Sequence, residues 1–188
     1  MRFLRQLPRT ALLRRARARL KAGGVIAYPT ESCYGLGCNP LDARALRRVI
    51  ALKGRPNHKG LIVIAASLEQ LRPLVAPLSA DDEARLMARW PGPVTFLLPA
   101  SRRVLPLLRG RHKTLAVRIP DHDGARHLAA ALGPLVSTSA NPAGQVSLKS
   151  ARACRATFGE RLLTLPGRVG GRRSPSTIID FASGRVLR

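Results

Sequence analysis

Two basic side chains flank a predicted helix end and form the most distinctive reactive pair in the sequence. Lys53 and Arg55 lie on either side of Gly54, and Pro56 follows, so the helix is expected to end here on a stiff turn. Arginine presents a planar set of N–H donors and lysine a compact charge, a combination suited to phosphate groups. The turn therefore predicts a phosphate site; a solvated basic turn is the alternative in a chain this basic.

Polar side chains also follow the first predicted strand, at the position where α/β proteins place many ligand groups. After Pro29 the chain enters a polar loop that is closed by glycines. Thr30 and Ser32 offer hydroxyl groups to a small polar substrate, and Glu31 offers a carboxylate that could orient an amine. Tyr34 could form a wall of such a pocket. An ordinary turn is the alternative interpretation of this segment.

Two later segments combine a strand with hydroxyl or amide groups. Residues 91–95 are Pro-Gly-Pro-Val-Thr, which predicts a stiff entry into a strand with Thr95 near its start. Residues 137–141 are Ser-Thr-Ser-Ala-Asn and follow a buried strand. Successive N–H groups and short hydroxyls can bind an anion, although a helix-capping turn uses the same residue types. The sequence contains no GxxxxGK[ST] loop, so any phosphate site must be built differently.

Arg118 stands alone as a charged residue within an apolar strand, Leu-Ala-Val-Arg-Ile at residues 115–119. A buried cation without a partner would be costly. The arginine is therefore expected to pair with an anion, which is either a carboxylate of the protein or a carboxylate or phosphate of a ligand.

The elements that must position these residues alternate along the chain. Short runs rich in Val and Ile alternate with helical patterns, which is typical of an α/β domain. Strands are predicted at Val25–Tyr28, Leu61–Ala65, Val94–Leu98, Leu115–Ile119, Leu135–Thr138, Leu162–Leu165 and Thr177–Phe181. Helices are predicted at Thr10–Ala22, Ala43–Leu52, Leu68–Leu74, Ala80–Trp90, Gly124–Leu132 and Ala151–Phe158. No linker or repeat divides residues 1–188, so one domain is expected.

Composition narrows the class of protein. The formal net charge of +23 attracts nucleotides, RNA or any other polyanion. Arginine accounts for 28 of the 33 basic residues, which indicates that part of this charge reflects codon bias. Three cysteines without a CxxC pair suggest neither a disulfide framework nor a zinc site, and a reducing cytoplasm fits best. No apolar run is long enough to span a membrane, so no association with a membrane is expected.

The first acidic residue is Glu31, and the segment before it is rich in arginine. This pattern superficially resembles an organelle transit peptide. A basic amphipathic helix with Leu13, Ala16 and Leu20 on one face, leading directly into the first strand, explains the segment more simply.

Taken in order, these segments resemble the threonylcarbamoyl-AMP synthase family, the YrdC-like or TsaC proteins. The resemblance runs from Val25 to Asp180, and the ordered set is far more specific than any one motif. It is closer to the short bacterial form, because the chain ends soon after Asp180. Two departures are Ser32-Cys33 in the Pro-Thr-Glu loop and Lys59-Gly60-Leu61-Ile62, where longer members tend to have Pro-Leu and a nearby histidine.

The resemblance implies a fold and a reaction. The fold would be an open twisted mixed α/β sheet, flanked by helices, around a deep and positively charged cavity. In the reaction, the amine of L-threonine and bicarbonate give a carbamate, which attacks the α-phosphorus of ATP and expels pyrophosphate. The product serves the threonylcarbamoyl modification of the adenosine beside the anticodon of tRNA.

The family roles can be carried to matching residues. Lys53 and Arg55 would be the catalytic residues, binding the ATP phosphates and offsetting the charge that grows at the α-phosphorus. Thr30, Arg118 and Ser137 would hold threonine or its carbamate, with Arg118 on the carboxylate and Tyr34 beside them. The ATP side would further include Thr95, Ser139, Asn141, Ser147, Ser176 and Thr177.

No dedicated metal site and no tightly bound cofactor are expected, and Mg²⁺ would enter with ATP. The implied partner is a complex that transfers the threonylcarbamoyl group to tRNA, and direct binding of RNA or tRNA stays open. Two alternatives remain. A double-stranded RNA-binding or ribosome-maturation factor would explain the charge without catalysis, and a hydrolase acting on carbamoyl phosphate would share the pocket.

Overall fold

Helices and strands alternate through residues 10–56 and 58–188, the part of the chain that this computed structural model describes. The helices are α1 (Thr10–Lys21), α2 (Ala43–Lys53), α3 (Leu68–Leu71), α4 (Ala80–Met87), α5 (Pro106–Arg109), α6 (Asp123–Leu132) and α7 (Ala151–Phe158). The strands are β1 (Ile26–Pro29), β2 (Tyr34–Gly37), β3 (Ile62–Ile64), β4 (Val94–Pro99), β5 (Thr114–Arg118), β6 (Leu135–Val136), β7 (Thr138–Ser139), β8 (Leu163–Thr164) and β9 (Thr177–Asp180). The arginines at positions 2, 5 and 9 lie outside the described residues.

Local sequence signals explain where α2 begins and ends. The side chain of Asp42 accepts hydrogen bonds from the amides of Arg44 and Ala45, which caps the first turn. The helix ends at Gly54, whose φ of 58° is in the left-handed region that glycine adopts without strain. Lys53 therefore lies in the last turn of a well-defined helix, and Arg55 lies just beyond it.

The strands form two mixed sheets, whereas the sequence predicted one. The smaller sheet has the order β7-β2-β1-β8 and the larger has β6-β3-β5-β4-β9. Residues 135–139 connect them, because β6 pairs with β3 in the larger sheet and β7 pairs with β2 in the smaller. The α/β class with mixed sheet and flanking helices is confirmed.

The polar loop predicted for residues 30–37 is wrong in its second half. Tyr34–Gly37 is strand β2, which pairs antiparallel with β1. Tyr34 and Leu36 are fully buried, and this burial favours a strand over a solvated loop. Gly37 permits the close packing, since a Cβ there would lie 2.5 Å from the ring of Tyr28.

The larger of two hydrophobic core clusters lies between elements of both sheets. It includes Val25, Tyr34 and Leu36 from the region of the smaller sheet and Phe96 and Val117 from the larger. This shared core holds the two sheets in a fixed relation at the cavity described below. Among the described residues, no helix is both long enough and apolar enough to cross a bilayer.

Candidate active site

A cavity of about 770 Å³ is lined by residues of both sheets. The smaller sheet contributes the loop Thr30–Cys33 and Gly35, and the larger contributes residues of β3, β4, β5 and β9. Segment 137–139, which joins the sheets, forms part of the wall. A volume of this size suits a ligand larger than a single amino acid.

The cavity lining is strongly basic. Its basic side chains are Arg55, Lys59, Arg109, Arg118, Lys149, Arg172, Arg173 and Arg188. Among the described lining residues, the one side-chain carboxylate is that of Glu31. Such an excess of positive charge in a concave site favours a polyanionic ligand.

The loop after β1 is tightly held and carries Thr30 and Glu31 to the cavity. The amide and hydroxyl of Thr30 both donate to the carbonyl oxygen of Cys33, at 3.0 and 2.8 Å. The Glu31 carboxylate accepts a hydrogen bond from Nη1 of Arg118 at 2.7 Å, and both side chains are only 9% exposed. The anionic partner expected for Arg118 is thus a carboxylate of the protein, although Arg118 also lines the cavity.

Arg55 reaches the cavity from the turn after α2. Its Nη2 donates to the carbonyl of Gly60 at 2.9 Å, which fixes one side of the guanidinium. Burial, together with the nearby charge of Arg188, lowers the pKa of Arg55. The side chain lines the cavity, and a guanidinium under these conditions gains by pairing with an anion.

Lys53 does not line the cavity, contrary to the expectation that it would contact a phosphate directly. Its side chain is 5% exposed, and Nζ lies within hydrogen-bond distance of four oxygens. These are the carbonyl and hydroxyl of Ser139, at 2.6 and 3.4 Å, and the carbonyl and side-chain Oδ1 of Asn141, at 2.9 and 3.1 Å. An ammonium has three protons to donate, so these oxygens occupy it fully.

The hydroxyl-rich segment is divided between cavity wall and support. The cavity is lined by Ser137, Ser139 and Ser147, three of the residues for which a binding role is predicted. Asn141 is buried behind them, where its Nδ2 donates to the carbonyl of Gln145 at 2.6 Å. Asn141 and Lys53 therefore hold the segment that presents Ser139, and neither faces the cavity.

Ser176 lines the cavity, whereas Thr95 and Thr177, also predicted on the ATP side, do not. Thr95 is fully buried, and its hydroxyl lies 2.8 Å from that of Ser176. Thr177 begins β9, and its amide donates to the carbonyl of Pro93. Thr95 thus orients Ser176 from behind, and Thr177 belongs to the sheet.

The structure contradicts the expectation that Tyr34 forms a pocket wall. Its side chain is fully buried, and its hydroxyl donates to the carbonyl of Gly167 at 2.9 Å. Burial raises the pKa of Tyr34 to about 12, so the phenol stays protonated and can donate. Tyr34 packs there because β2 is a core strand.

Sequence reasoning missed much of the basic lining. Lys59, Arg109, Lys149, Arg172, Arg173 and Arg188 come from separate parts of the chain and converge only in the fold. In a chain where arginine is so abundant, a single arginine carries little signal. Lys59 and Lys149 could have been noticed, because the chain has only five lysines. No group of three or more His, Cys, Asp or Glu side chains among the described residues could hold a metal ion.

Comparison with known proteins adds to this geometry. Residues 18–188 match the Sua5/YciO/YrdC family model, which is described as telomere recombination. The chain belongs to the Sua5/YciO/YrdC family. The family resemblance recognised in the sequence is thereby confirmed.

Relatives within this family match over nearly the whole chain. The threonylcarbamoyl-AMP synthase of Laribacter hongkongensis is 66% identical, with 99% of this chain and 100% of that protein covered. The threonylcarbamoyl-AMP synthase of Chromobacterium violaceum is 67% identical, with 98% and 96% covered.

Solved structures share the fold. Sua5 of P. abyssi in complex with L-threonine has a TM-score of 0.87 and 35% identity. The match covers 95% of this chain and 54% of that one, so this chain spans about half the length of P. abyssi Sua5. E. coli YciO has a TM-score of 0.77 and 29% identity, with 92% and 85% covered.

Proposed function

We propose that this chain is a threonylcarbamoyl-AMP synthase. It converts L-threonine, bicarbonate and ATP into L-threonylcarbamoyladenylate and pyrophosphate. The observation that carries the proposal is a cavity lined together by Arg55, Arg118, Thr30, Ser137 and Ser139, with a lining basic enough for a nucleoside triphosphate. Relatives with this name and about two-thirds identity support it.

The chemistry asks the protein mainly for positioning and charge stabilisation. Threonine's ammonium group loses a proton, and the resulting amine forms an N–C bond with bicarbonate as a C–O bond breaks and water leaves, which gives a carbamate. A carbamate oxygen then forms a bond to the α-phosphorus of ATP, and the bond to the pyrophosphate oxygen breaks. Holding the three reactants together removes an entropic barrier, and fixed cations stabilise the charge that develops on the phosphates.

On the ATP side, we assign direct contacts to Arg55, Ser139, Ser147 and Ser176, which line the cavity. Lys53 and Asn141 support Ser139, and Thr95 supports Ser176, so these three act without touching the nucleotide. Thr177 keeps β9 in place behind them.

On the amino-acid side, we assign threonine and its carbamate to Thr30, Arg118 and Ser137. Thr30 and Ser137 are less than one-tenth exposed, and both line the cavity. A charge-assisted hydrogen bond from a guanidinium to a carboxylate is stronger than a neutral one, which makes Arg118 the residue for the threonine carboxylate. P. abyssi Sua5 was solved with L-threonine, which supports an amino-acid subsite in this fold.

The wider setting belongs to the same proposal. Residues 1–188 act as one domain in the cytoplasm, and the adenylate passes to a complex that modifies tRNA. Mg²⁺ accompanies ATP and takes its ligands from phosphate oxygens and water, since the described residues offer hydroxyls but no cluster of carboxylates near the cavity.

The direct test is pyrophosphate release by the purified chain, with threonine and bicarbonate omitted in turn. We expect release to require both, with a mass corresponding to threonylcarbamoyladenylate. Release that is absent or indifferent to both substrates in folded protein would contradict the proposal and favour RNA binding, and release of phosphate from carbamoyl phosphate would favour the hydrolase. Arg55→Ala should abolish the reaction, whereas Arg47→Ala on the exposed face of α2 should not.

A further inference from the structure

Glu31 and Arg118 form a buried ion pair that joins the two sheets at the cavity. Glu31 follows β1 in the smaller sheet, and Arg118 ends β5 in the larger. Oxygen Oε1 of Glu31 lies 2.7 Å from Nη1 of Arg118, and each side chain is 9% exposed. Burying two charges is costly even when they pair, so such a pair needs a reason beyond stability.

The Glu31 carboxylate is held through one oxygen, Oε1, while Oε2 is buried without a hydrogen-bond partner among the described residues. Its Oε1 also accepts a hydrogen bond from the amide of Asp121 at 2.9 Å. The backbone carbonyl of Glu31 accepts a hydrogen bond from the amide of Arg172 at 3.2 Å, which ties the loop after β1 to segment 166–176. The oxygen Oε1 is therefore held in place by the Asp121 amide and the tied loop, and the guanidinium of Arg118 is oriented against it.

This contact decides which part of Arg118 is available to a ligand. Nη1 is used by Glu31, and Nε is enclosed with no hydrogen-bond partner among the described residues. The hydrogen bond that the Arg118 side chain makes within the described chain is the one from Nη1, so Nη2 makes none there. Arg118 also lines the cavity. The Nη2 side of the guanidinium is thus the part left for an anion.

We propose that Glu31 is a positioning residue for recognition of the substrate's carboxylate, because it fixes the orientation in which Arg118 presents Nη2. The inference rests on the proposed function, in which Arg118 binds the carboxylate of threonine. A guanidinium that rotates freely would lose part of the directional gain of a charge-assisted hydrogen bond. Glu31 itself need not touch the substrate.

The test is the steady-state kinetics of Glu31→Gln with threonine and with threoninol, which lacks the carboxylate. Glutamine keeps an oxygen that can accept from Arg118 and Asp121 but loses the charge that fixes the guanidinium. We expect the KM for threonine to rise about ten- to a hundredfold, the range for a hydrogen bond to a charged group. The KM for ATP and the kinetics with threoninol should change less than twofold.

A double-mutant cycle shows whether Glu31 acts through Arg118. In an Arg118→Met background, Glu31→Gln should leave the KM for threonine unchanged, because the group that it orients is gone. Glu83→Gln is the matched control, since it removes an ion pair with Arg72 of 3.0 Å that lies away from the cavity.

The outcomes are distinct. A KM for threonine within twofold of the unsubstituted protein, or equal losses with threonine and threoninol, overturns the inference. So does a parallel rise of both KM values together with a lower melting temperature, because this indicates a purely structural pair. If the unsubstituted chain does not respond to threonine at all, the proposed function itself falls, and this inference falls with it.

Discussion

At the scale of single residues, the position of Lys53 matters most, because its ammonium group binds the protein's own oxygens. Ser139 and Asn141 supply all four acceptors, and Ser139 lines the cavity. The carbonyl of Lys53 also accepts a hydrogen bond from the amide of Ala143 at 2.7 Å. Lys53 therefore connects the end of α2 to the segment that presents Ser139.

Replacing this lysine should weaken ATP binding without removing a phosphate contact. Lys53→Met removes the donor from two buried oxygens of Asn141 and two partly buried oxygens of Ser139, so segment 139–143 should loosen. We expect the Kd of a non-hydrolysable ATP analogue to rise about ten- to a hundredfold. Titration calorimetry measures this directly, and Lys21→Met at the exposed end of α1 serves as the control.

A double-mutant cycle also tests whether Lys53 supports the segment that presents Ser139 or contacts the nucleotide directly. Because Lys53 and Asn141 act on one segment, Lys53→Met and Asn141→Ala should be strongly non-additive in ATP affinity. Fully additive losses would mean that Lys53 has a separate contact with the nucleotide.

Lys53 also predicts a dependence on pH. Burial and the nearby charge of Arg55 lower the pKa of Lys53 from its ordinary 10.5 to about 8. Burying the charged lysine therefore lowers the stability of the fold fully below pH 8. Between pH 8 and 10.5 the folded chain loses this proton while the unfolded chain keeps it, so the destabilisation disappears over this range. A neutral amine has only two protons for four oxygens. ATP affinity should therefore fall as the pH rises through 8, and it should be flat there in Lys53→Met.

At the scale of elements, segment 166–176 packs against the loop after β1. The amide of Gly170 donates to the carbonyl of Thr30 at 2.9 Å, and that of Arg172 donates to the carbonyl of Glu31. A Cβ at Gly170 would lie 2.8 Å from the carbonyl oxygen of Glu31. Backbone meets backbone here, so a larger residue can be accommodated only if one segment moves.

Gly170→Ala should displace the loop that carries Thr30 and Glu31. We expect a higher KM for threonine and a loss of about 1 to 3 kcal/mol in the free energy of unfolding, as for other overpacked sites. Kinetics and denaturant unfolding give the two numbers. Gly171→Ala is the matched control, because a Cβ there meets nothing within 4 Å. Equal behaviour of the two variants would disprove the packing argument.

At the scale of the whole molecule, the charge of +23 acts in two ways. Part of it is concentrated in the cavity, where Arg55 and Arg118 are half-buried or buried. Much of the rest lies on exposed helix faces, including Arg14 and Arg15 of α1 and Arg47 of α2. Exposed charges are screened by salt, whereas buried ones are screened much less.

RNA binding and catalysis should therefore respond differently to salt. Raising the salt from about 50 to 200 mM should weaken tRNA binding by about three orders of magnitude if six or more phosphates are contacted. Threonine-dependent pyrophosphate release should change only a few-fold over the same range. Fluorescence anisotropy with labelled tRNA and the pyrophosphate assay can be run in the same buffers. RNA binding that persists at high salt would indicate a specific RNA site.

Much of the fold was predictable because its signals are local. Val and Ile runs gave the strands, Asp42 and Gly54 bounded α2, and the ordered motifs led to the family. Helix ends were predicted less well. The predicted helix Leu68–Leu74 ends in a 3-10 turn at Arg72–Leu74, because Pro73 has no amide proton to continue the α-helix. Strand β2 was missed because Gly35 and Gly37 resemble loop residues in the sequence, and only the fold shows that Gly37 packs against the ring of Tyr28.

The sequence by itself determined which residue types could do chemistry and in what order they occur. Only the tertiary structure decided which of them share the cavity. Four of the predicted residues are buried and support the cavity walls: Lys53, Asn141, Thr95 and Tyr34. The walls themselves include Arg172 and Arg188, which are distant in sequence from the other lining residues. Whether a side chain faces a ligand or supports its neighbour depends on packing between distant segments, which local pattern does not encode.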